Sequence, residues 1–347
     1  MFLIISAHSL GTTDGNSKDA VLPDKMPRFD RMAVMAPNSA ESILDRIEES
    51  TAGRIPFSVE FFPARSEEAK ERQWEAVQTY EKWGACFASV TYGAGGSNRD
   101  RMLDITKRIR EESSLLPLAH LTAVNHSRNE LDRILDSFAA AGIHNVLALR
   151  GDPPGDPLGI WRKHPKGVEF ASELVQIIAE RGDFNIGVAA FPNGHFRAPT
   201  VDADTHYTLR KYAAGATFAI TQIFFETEAY LRLRDRLVAA DQELGSRPLI
   251  PSIMPITSLR SAQRMVELSG ARLPRWLEQK LDKAAGPGDQ EDVDEVTRLG
   301  IELAVDMCEI LISEGVPSLH FDTLNKTQPV GQVLEGLGLI KCSDEAL

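Results

Sequence analysis

Eight short β-rich runs, each followed by a longer amphipathic stretch, predict an α/β protein built as a closed (β/α)8 TIM barrel with an N-terminal extension and an additional peripheral helix. Strands that alternate with helices give a parallel sheet, and a doubly wound sheet uses roughly five or six strands rather than eight. A length of 347 residues accommodates one such barrel with attachments.

Residues 1–37 mix Gly, Asp, Asn, Pro and Met without a sustained period and read as an extension ahead of a single domain over 38–341. From Asn38 the run NSAESILDRIEES then offers an N-cap candidate and Ile43, Leu44 and Ile47 at helical spacing, a short helix leading into that domain. The strands follow as IPFSVEFF, CFASVTY, LPLAHLTAV, NVLALRG, NIGVAAFP, TFAITQIFF, PLIPSIMP and SLHFDTLN. Between them lie helical patterns such as EEAKERQWEAVQTYEKWG, RNELDRILDSFAAAG and EAYLRLRDRLVAADQ. Ser127 followed by Glu130 predicts a capping box, and Gly84, Gly142, Gly182 and Gly215 fall just past apolar helical stretches, where helices stop. After the seventh strand the connection lengthens to LPRWLEQKLDKA, the polar turn GPGDQ and a long helix from near Glu291, so an inserted helix is expected there. Residues 342–347 form a C-terminal tail.

Apolar residues at 43% and charged residues at 25% describe a soluble globular chain with a sizeable core. Lys and Arg number 38 against 50 Asp and Glu, a net charge of -12 that disfavours nonspecific nucleic-acid binding while leaving room for a local basic patch. Cys86, Cys308 and Cys342 are dispersed and fit a reducing compartment, and the opening MFLIISAHSL lacks the basic flank of a signal peptide and the length of a membrane span. A cytoplasmic protein is expected.

In a barrel of this kind, chemistry belongs at the C-terminal ends of the strands. Glu60 interrupts an apolar strand and points to the axis if Val59 and Phe61 face the helices; a desolvated carboxyl there is a candidate proton donor or a hydrogen-bonded structural group. Thr91 closes the second strand ahead of GAGGSN, which is not GxGxxG because Asn98 replaces the third glycine; a turn explains these glycines equally well. His120 ends the third strand. Arg150, Gly151 and Asp152 end the fourth, where the glycine permits a tight loop that aims Arg150 at an anion and Asp152 at a heteroaromatic ring, an internal Arg–Asp pair being the alternative. His195, beyond AAFPNG, and Lys211 in the next helix are placed to meet a phosphate. Gln222 in TQIFF suits the paired donors and acceptors of a pterin or purine, or else satisfies core carbonyls. His120, His195 and His320 near strand ends, with Asp152, keep a dispersed zinc hydrolase open, but no HxH or HExxH motif appears and no metal ligand is assigned.

The ordered set SVEFFP, SVTYGAGG, AHLT, ALRGD, VAAFP, AITQIFF and HFDTLN resembles the methylenetetrahydrofolate reductase family over residues 54–326. The resemblance implies a noncovalently bound FAD at the barrel mouth, NADH or NADPH as electron donor with NADH preferred, and reduction of 5,10-methylenetetrahydrofolate to 5-methyltetrahydrofolate. It implies Glu60 as the acid that opens the methylene bridge, Asp152 beside the flavin pyrimidine edge and the folate, and Gln222 as a folate reader. Thr91, His120, Arg150 and Lys211 match implied flavin contacts, Asp204 a ribose contact, and Gly151, Ala190, Phe191 and His195 complete the implied cofactor set. Thr91 and Met265 join the implied substrate contacts, Met265 at the position of a folate-contacting Phe. The chain departs from the family at Phe191 in place of Tyr, Asn193 in place of an acid and Asp322 in place of an aromatic residue. The same resemblance implies a homo-oligomer, and the large C-terminal regulatory domain of eukaryotic members is not expected. Oxidation of methyltetrahydrofolate is the same chemistry reversed, and a noncatalytic folate-binding barrel is the alternative from a different class.

Overall fold

The computed structural model describes residues 41–50, 53–92, 99–153, 159–269, 273–286 and 292–341. The extension 1–37, the first residues of the NSAESILDRIEES run, the glycine run 93–98, the turn residues 287–291, and Cys342 with the tail 342–347 lie outside the described residues.

Every apolar run of the sequence becomes a strand: β1 Phe57–Phe61, β2 Phe87–Val90, β3 Leu116–Thr122, β4 Asn145–Leu149, β5 Asn185–Ala190, β6 Phe218–Thr221, β7 Leu249–Ile250, β8 Ser252–Ile253 and β9 Leu319–Asp322. Among the described residues there are nine because the seventh run splits at Pro251, which has no N–H for the ladder. All neighbours are parallel, in the order β7-β6-β5-β4-β3-β2-β1-β9-β8. Because β7 pairs with β6 and β8 pairs with β9, the continuous stretch Leu249 to Ile253 joins both edges and closes the barrel. Side chain and carbonyl repair the proline break: the Ser252 N–H donates to Thr221 Oγ1 at 3.0 Å, and the Pro251 carbonyl accepts from the His320 N–H at 3.0 Å.

The helices are α1 Ile43–Ser50, α2 Glu67–Lys82, α3 Arg99–Glu112, α4 Arg128–Ala140, α5 Ala171–Ala179, α6 Val201–Ala213, α7 Thr227–Ala240, α8 Gln242–Gly245, α9 Leu259–Ser269, α10 Arg275–Ala285, α11 Val293–Ser313 and α12 Gln328–Gly336. The predicted capping box at α4 is present, with Glu130 Oε2 accepting from the Ser127 N–H at 2.7 Å and Ser127 Oγ accepting from the Glu130 N–H at 3.3 Å. The helix-terminating glycines take the left-handed conformation expected of them, as at Gly142 with φ 69°. The expected inserted helix is α10; the short α8, capped by Asp241, has no periodic signal in the sequence.

Alternation along the strands sorts side chains into two cores. Val59 and Phe61 face outward and pack with Trp74, Val77 and Tyr80 of α2. Inside, Phe87, Leu118, Leu147, Phe218, Ile220 and Ile250 fill one part of the barrel. Gly187 is required there, because a Cβ would stand 2.5 Å from the Phe218 ring.

The bottom of this interior is stoppered by α1, whose Ile43 and Ile47 join the inner cluster. Asn145 and Asn185, at the starts of β4 and β5, hold it: the Ile43 N–H donates to Asn145 Oδ1 at 3.3 Å, Asn145 Nδ2 donates to the Glu41 carbonyl at 3.2 Å, and Asn185 Nδ2 donates to Asn145 Oδ1 at 3.1 Å. The helix read from the sequence as a lead-in is therefore part of the barrel core. Ile43→Ala should cost about 2–4 kcal/mol in urea unfolding, the range for deleting a fully enclosed aliphatic side chain.

Candidate active site at the barrel mouth

Glu60 occupies the inner face of β1 and is 1% exposed. Register places it between Ser89 of β2 and Asp322 of β9. Its Oε2 accepts from Ser89 Oγ at 3.4 Å and lies 3.5 Å from His120 Nε2 and 3.9 Å from His320 Nε2. Burial lowers the proton affinity of both imidazoles, His320 to about 3, so near neutrality they are uncharged neighbours rather than counter-ions. His320 is oriented by Ser58 Oγ at Nδ1, 2.7 Å, by Ser89 Oγ at Nε2, 3.3 Å, and by stacking on Phe87.

The backbone on either side of Glu60 is clamped by the TLN segment after β9. Thr323 Oγ1 donates to the Glu60 carbonyl at 2.7 Å. Asn325 then engages both polar groups of Phe62: its Oδ1 accepts from the N–H and its Nδ2 donates to the carbonyl, each at 2.8 Å. One amide side chain thus continues the parallel ladder beyond the last residue of the strand. The turn that permits this puts Leu324 and Asn325 in the left-handed region, φ 51° and 59°, a conformation Asn tolerates better than Leu.

A second group of polar residues gathers across the mouth, after β4 and β5. Arg150 is half-buried with its guanidinium 5.2 Å over the Trp161 ring. Burial, reinforced by Arg150, Lys211 and Arg197, drives His195 down to about 3, so three cations share one neighbourhood around a neutral imidazole. The Arg197 N–H donates to His195 Nδ1 at 3.1 Å, which assigns the ring proton to Nε2. Lys211 is buried at the end of α6 and donates to the Ala189 carbonyl; desolvation, partly offset by Asp204, lowers it to about 8. Asp204 and Asp152 are both shifted upward by burial, against the pull of Lys211 and of Arg150 respectively. Gly151, φ 78°, is obligatory between Arg150 and Asp152, since a Cβ would stand 2.7 Å from Val124 and 2.8 Å from Thr122. On the neighbouring β3, the buried Thr122 Oγ1 has no hydrogen-bond partner among the described residues.

The remaining expected residues fall as follows. Thr91 is buried just past β2, its N–H donating to the Phe61 carbonyl at 3.0 Å. Ala190 turns its methyl to the helix layer, and its carbonyl accepts from the Gln222 N–H at 2.8 Å, so it offers the mouth no side chain. Phe191 stays on the inner side, edge-on to His195 at 4.7 Å. Gln222 is buried, its Oε1 accepting from the Ile223 N–H at 2.9 Å, which leaves the amide nitrogen as the outward donor. Met265 packs in the cluster under α9 with Ile223, Phe225, Met254 and Ile256. His120, expected against the flavin, is also an immediate neighbour of Glu60. Ser58, Ser89, Ser252, Thr122 and Asn325 were not singled out from the sequence; the first two keep the same two-residue alternation as Glu60 and Thr91, and that phase was the available signal.

Fold and site together define a (β/α)8-barrel protein whose mouth opposes a buried acid cluster to a basic cluster. The family model described as methylenetetrahydrofolate reductase matches residues 44–338, and the chain belongs to that family. It is 36% identical over 299 residues to 5,10-methylenetetrahydrofolate reductase of Escherichia coli (strain K12), covering 85% of this chain and 96% of that protein. The Pectobacterium carotovorum enzyme of the same name is 35% identical over 308 residues, covering 89% and 98%. Methylenetetrahydrofolate reductase (NADH) 1 of Zea mays is 33% identical, over 86% of this chain but 51% of the maize protein. A solved Clostridium thermocellum structure, described as binding two copies of 5-methyl-5,6,7,8-tetrahydrofolic acid, shares the fold at TM-score 0.56 and 14% identity, covering 85% of this chain and 95% of that one.

Asn325→Ala leaves the Phe62 N–H without its side-chain partner, while the Phe62 carbonyl keeps the hydrogen bond from Gln73 Nε2 at 2.7 Å. It should lower unfolding stability by about 1–2 kcal/mol, the cost of leaving one part-buried backbone N–H unpaired, as read by urea denaturation.

Proposed function

We propose that this chain is an FAD-dependent reductase of 5,10-methylenetetrahydrofolate, with NADH as donor and residues 38–341 as one catalytic domain. Family membership supports the reaction, and the maize relative named for NADH supports the donor. The observation that carries the reading is Glu60, an enclosed carboxyl on the barrel axis in a mouth that also holds a cluster of cations.

The residues fit FAD. Arg150, Lys211 and Arg197 supply positive charge for a diphosphate, the Trp161 and Phe191 faces are apolar, and the unsatisfied Thr122 hydroxyl is a buried donor facing the barrel interior. Bound FAD would supply the two-electron carrier that accepts hydride from the nicotinamide and passes it to the folate. The protein's part is positioning and proton supply. Arg150 and Lys211 hold the diphosphate, Asp204 meets a ribose hydroxyl, and Asp152 sets the charge beside the ring system. Gln222 reads the pterin through its amide, and Glu60 protonates the methylene bridge of the folate so that it opens to an electrophilic iminium. His120 and His320, being neutral, do not take that charge over. No helix among the described residues is long and apolar enough to cross a membrane, and the enclosed free thiols of Cys86 and Cys308 suit a cytoplasmic setting.

Anaerobic stopped-flow spectroscopy tests the reading through flavin absorbance. NADH should bleach the oxidised spectrum and methylenetetrahydrofolate should restore it; a folate that binds without restoring it sinks the assignment. Glu60→Gln should slow the folate step about a hundredfold or more while slowing reduction by NADH far less, because only one half-reaction takes a proton from the acid.

FAD affinity should also depend on pH through Lys211. Its proton affinity is lowered in the unliganded protein and a bound diphosphate raises it again, so affinity is fully present below about 8 and falls as pH rises beyond that value. Lys211→Met should weaken FAD binding about tenfold or more at neutral pH and flatten this dependence in fluorescence titrations.

A further inference from the structure

The turn of Arg150, Gly151 and Asp152 that follows β4 is gripped by a side chain from further along its own loop. Trp161 Nε1 donates to the Gly151 carbonyl at 3.1 Å, and the Arg150 guanidinium lies 5.2 Å over the same indole ring. The two carbonyls before Gly151 are paired by backbone: Leu149 accepts from the Ala123 N–H at 3.0 Å and Arg150 from the Val124 N–H at 2.9 Å. The indole therefore carries the pairing one residue beyond the reach of the backbone ladder.

Both neighbouring loops pin the segment that carries Trp161. Two residues before it, the Gly159 carbonyl accepts from Arg197 Nη2 of the loop after β5 at 2.6 Å. Five residues after it, the Lys166 carbonyl accepts from the N–H of Arg128, at the start of α4, at 2.8 Å. Gly167 then packs so closely that a Cβ would stand 2.3 Å from the His126 carbonyl. Ile160 is left 78% exposed while the indole beside it is half-buried, so the inward position goes to the ring that carries an N–H.

A cation–π contact holds a guanidinium through the electron density of a ring rather than through an acceptor oxygen, so the fork of N–H groups is kept for an anion. We propose that Trp161 is a positioning residue for the cofactor turn: its ring holds Arg150 ready for the FAD diphosphate, and its N–H fixes the Gly151 peptide that leads into Asp152. Arg197 serves the same arrangement at one remove, by holding Gly159 and with it the segment that bears the indole. The inference rests on the proposed FAD reading and deepens it.

Fluorescence titration of the full-length, cofactor-free protein with FAD tests this in single and double variants. Trp161→Leu, which loses both ring and N–H, should raise the FAD dissociation constant about tenfold. Trp161→Phe, which keeps a ring but loses the N–H, should raise it only about threefold. In an Arg150→Met background the gap between the Leu and Phe variants should close to within about 1.5-fold, because the ring then has no cation to hold. A ring that merely filled space would keep the same gap in either background.

Wild-type affinity in Trp161→Leu, or a gap between Leu and Phe that survives Arg150→Met, overturns the inference. Should Trp161→Leu fail to fold, Trp161→Met, whose flexible side chain fills the space without a ring, takes its place in the comparison. A wild type that binds no FAD retires the cofactor reading together with this inference, whereas FAD binding that is indifferent to Trp161 retires the inference alone.

Discussion

The parallel pairing of β1 with β9 is the interaction on which the mouth depends. It closes the barrel on one side, sets Glu60 opposite Asp322, and brings the TLN segment alongside the end of β1. Side-chain direction alternates with every residue, so a slip of one position would turn Glu60 into the helix layer and drive Val59 and Phe61 onto the axis. Those two residues pack against α2, with Phe61 edge-on to Tyr80 at 5.9 Å, and Tyr80 in turn donates to the Lys326 carbonyl at 2.6 Å. The outer core thereby locks the register that the inner site requires.

Within the barrel the apolar and polar side chains are concentrated on different strands, meeting where Phe87 stacks on His320. Leu147, Phe218, Ile220 and Ile250 pack toward β4, β6 and β7, while Ser58, Glu60, Ser89, His320 and Asp322 gather along β9, β1 and β2. The apolar side excludes water and lowers the local dielectric, which is why the imidazoles stay neutral. The cations after β4 and β5 form a separate centre, so a chain with net charge -12 still offers an anion a basic cradle.

The departures from the family pattern are resolved unevenly by packing. Phe191 keeps the ring contact with His195 that an aromatic residue needs at that point. Met265 fills space beneath α9, a use to which its flexible thioether is suited. Asp322 accepts from Ser252 Oγ at 3.1 Å and lies in register beside Glu60. Asn193 is exposed in the turn after β5, and nothing in the structure explains its replacement of an acid.

Barrel, strand order, helix caps and the inward direction of Glu60 were legible in the sequence because they follow from local periodicity and turn chemistry. Glu60 is marked by its place in an apolar alternation, and Arg150 and Asp152 by the glycine between them. The same local reasoning missed the plugging role of α1, which depends on Asn145 and Asn185 about a hundred residues further along. It also missed Asn325, whose partners on Phe62 lie across the closure of the barrel. Asp322 read as an anomaly in its motif, and Pro251 as part of an unbroken strand. The sequence by itself determined which residues face inward, because a period of two is a property of one strand. Only the tertiary structure decided which inward residues touch, because closing the barrel brings residues more than two hundred and fifty positions apart, such as Ser58 and Leu319, within hydrogen-bonding distance.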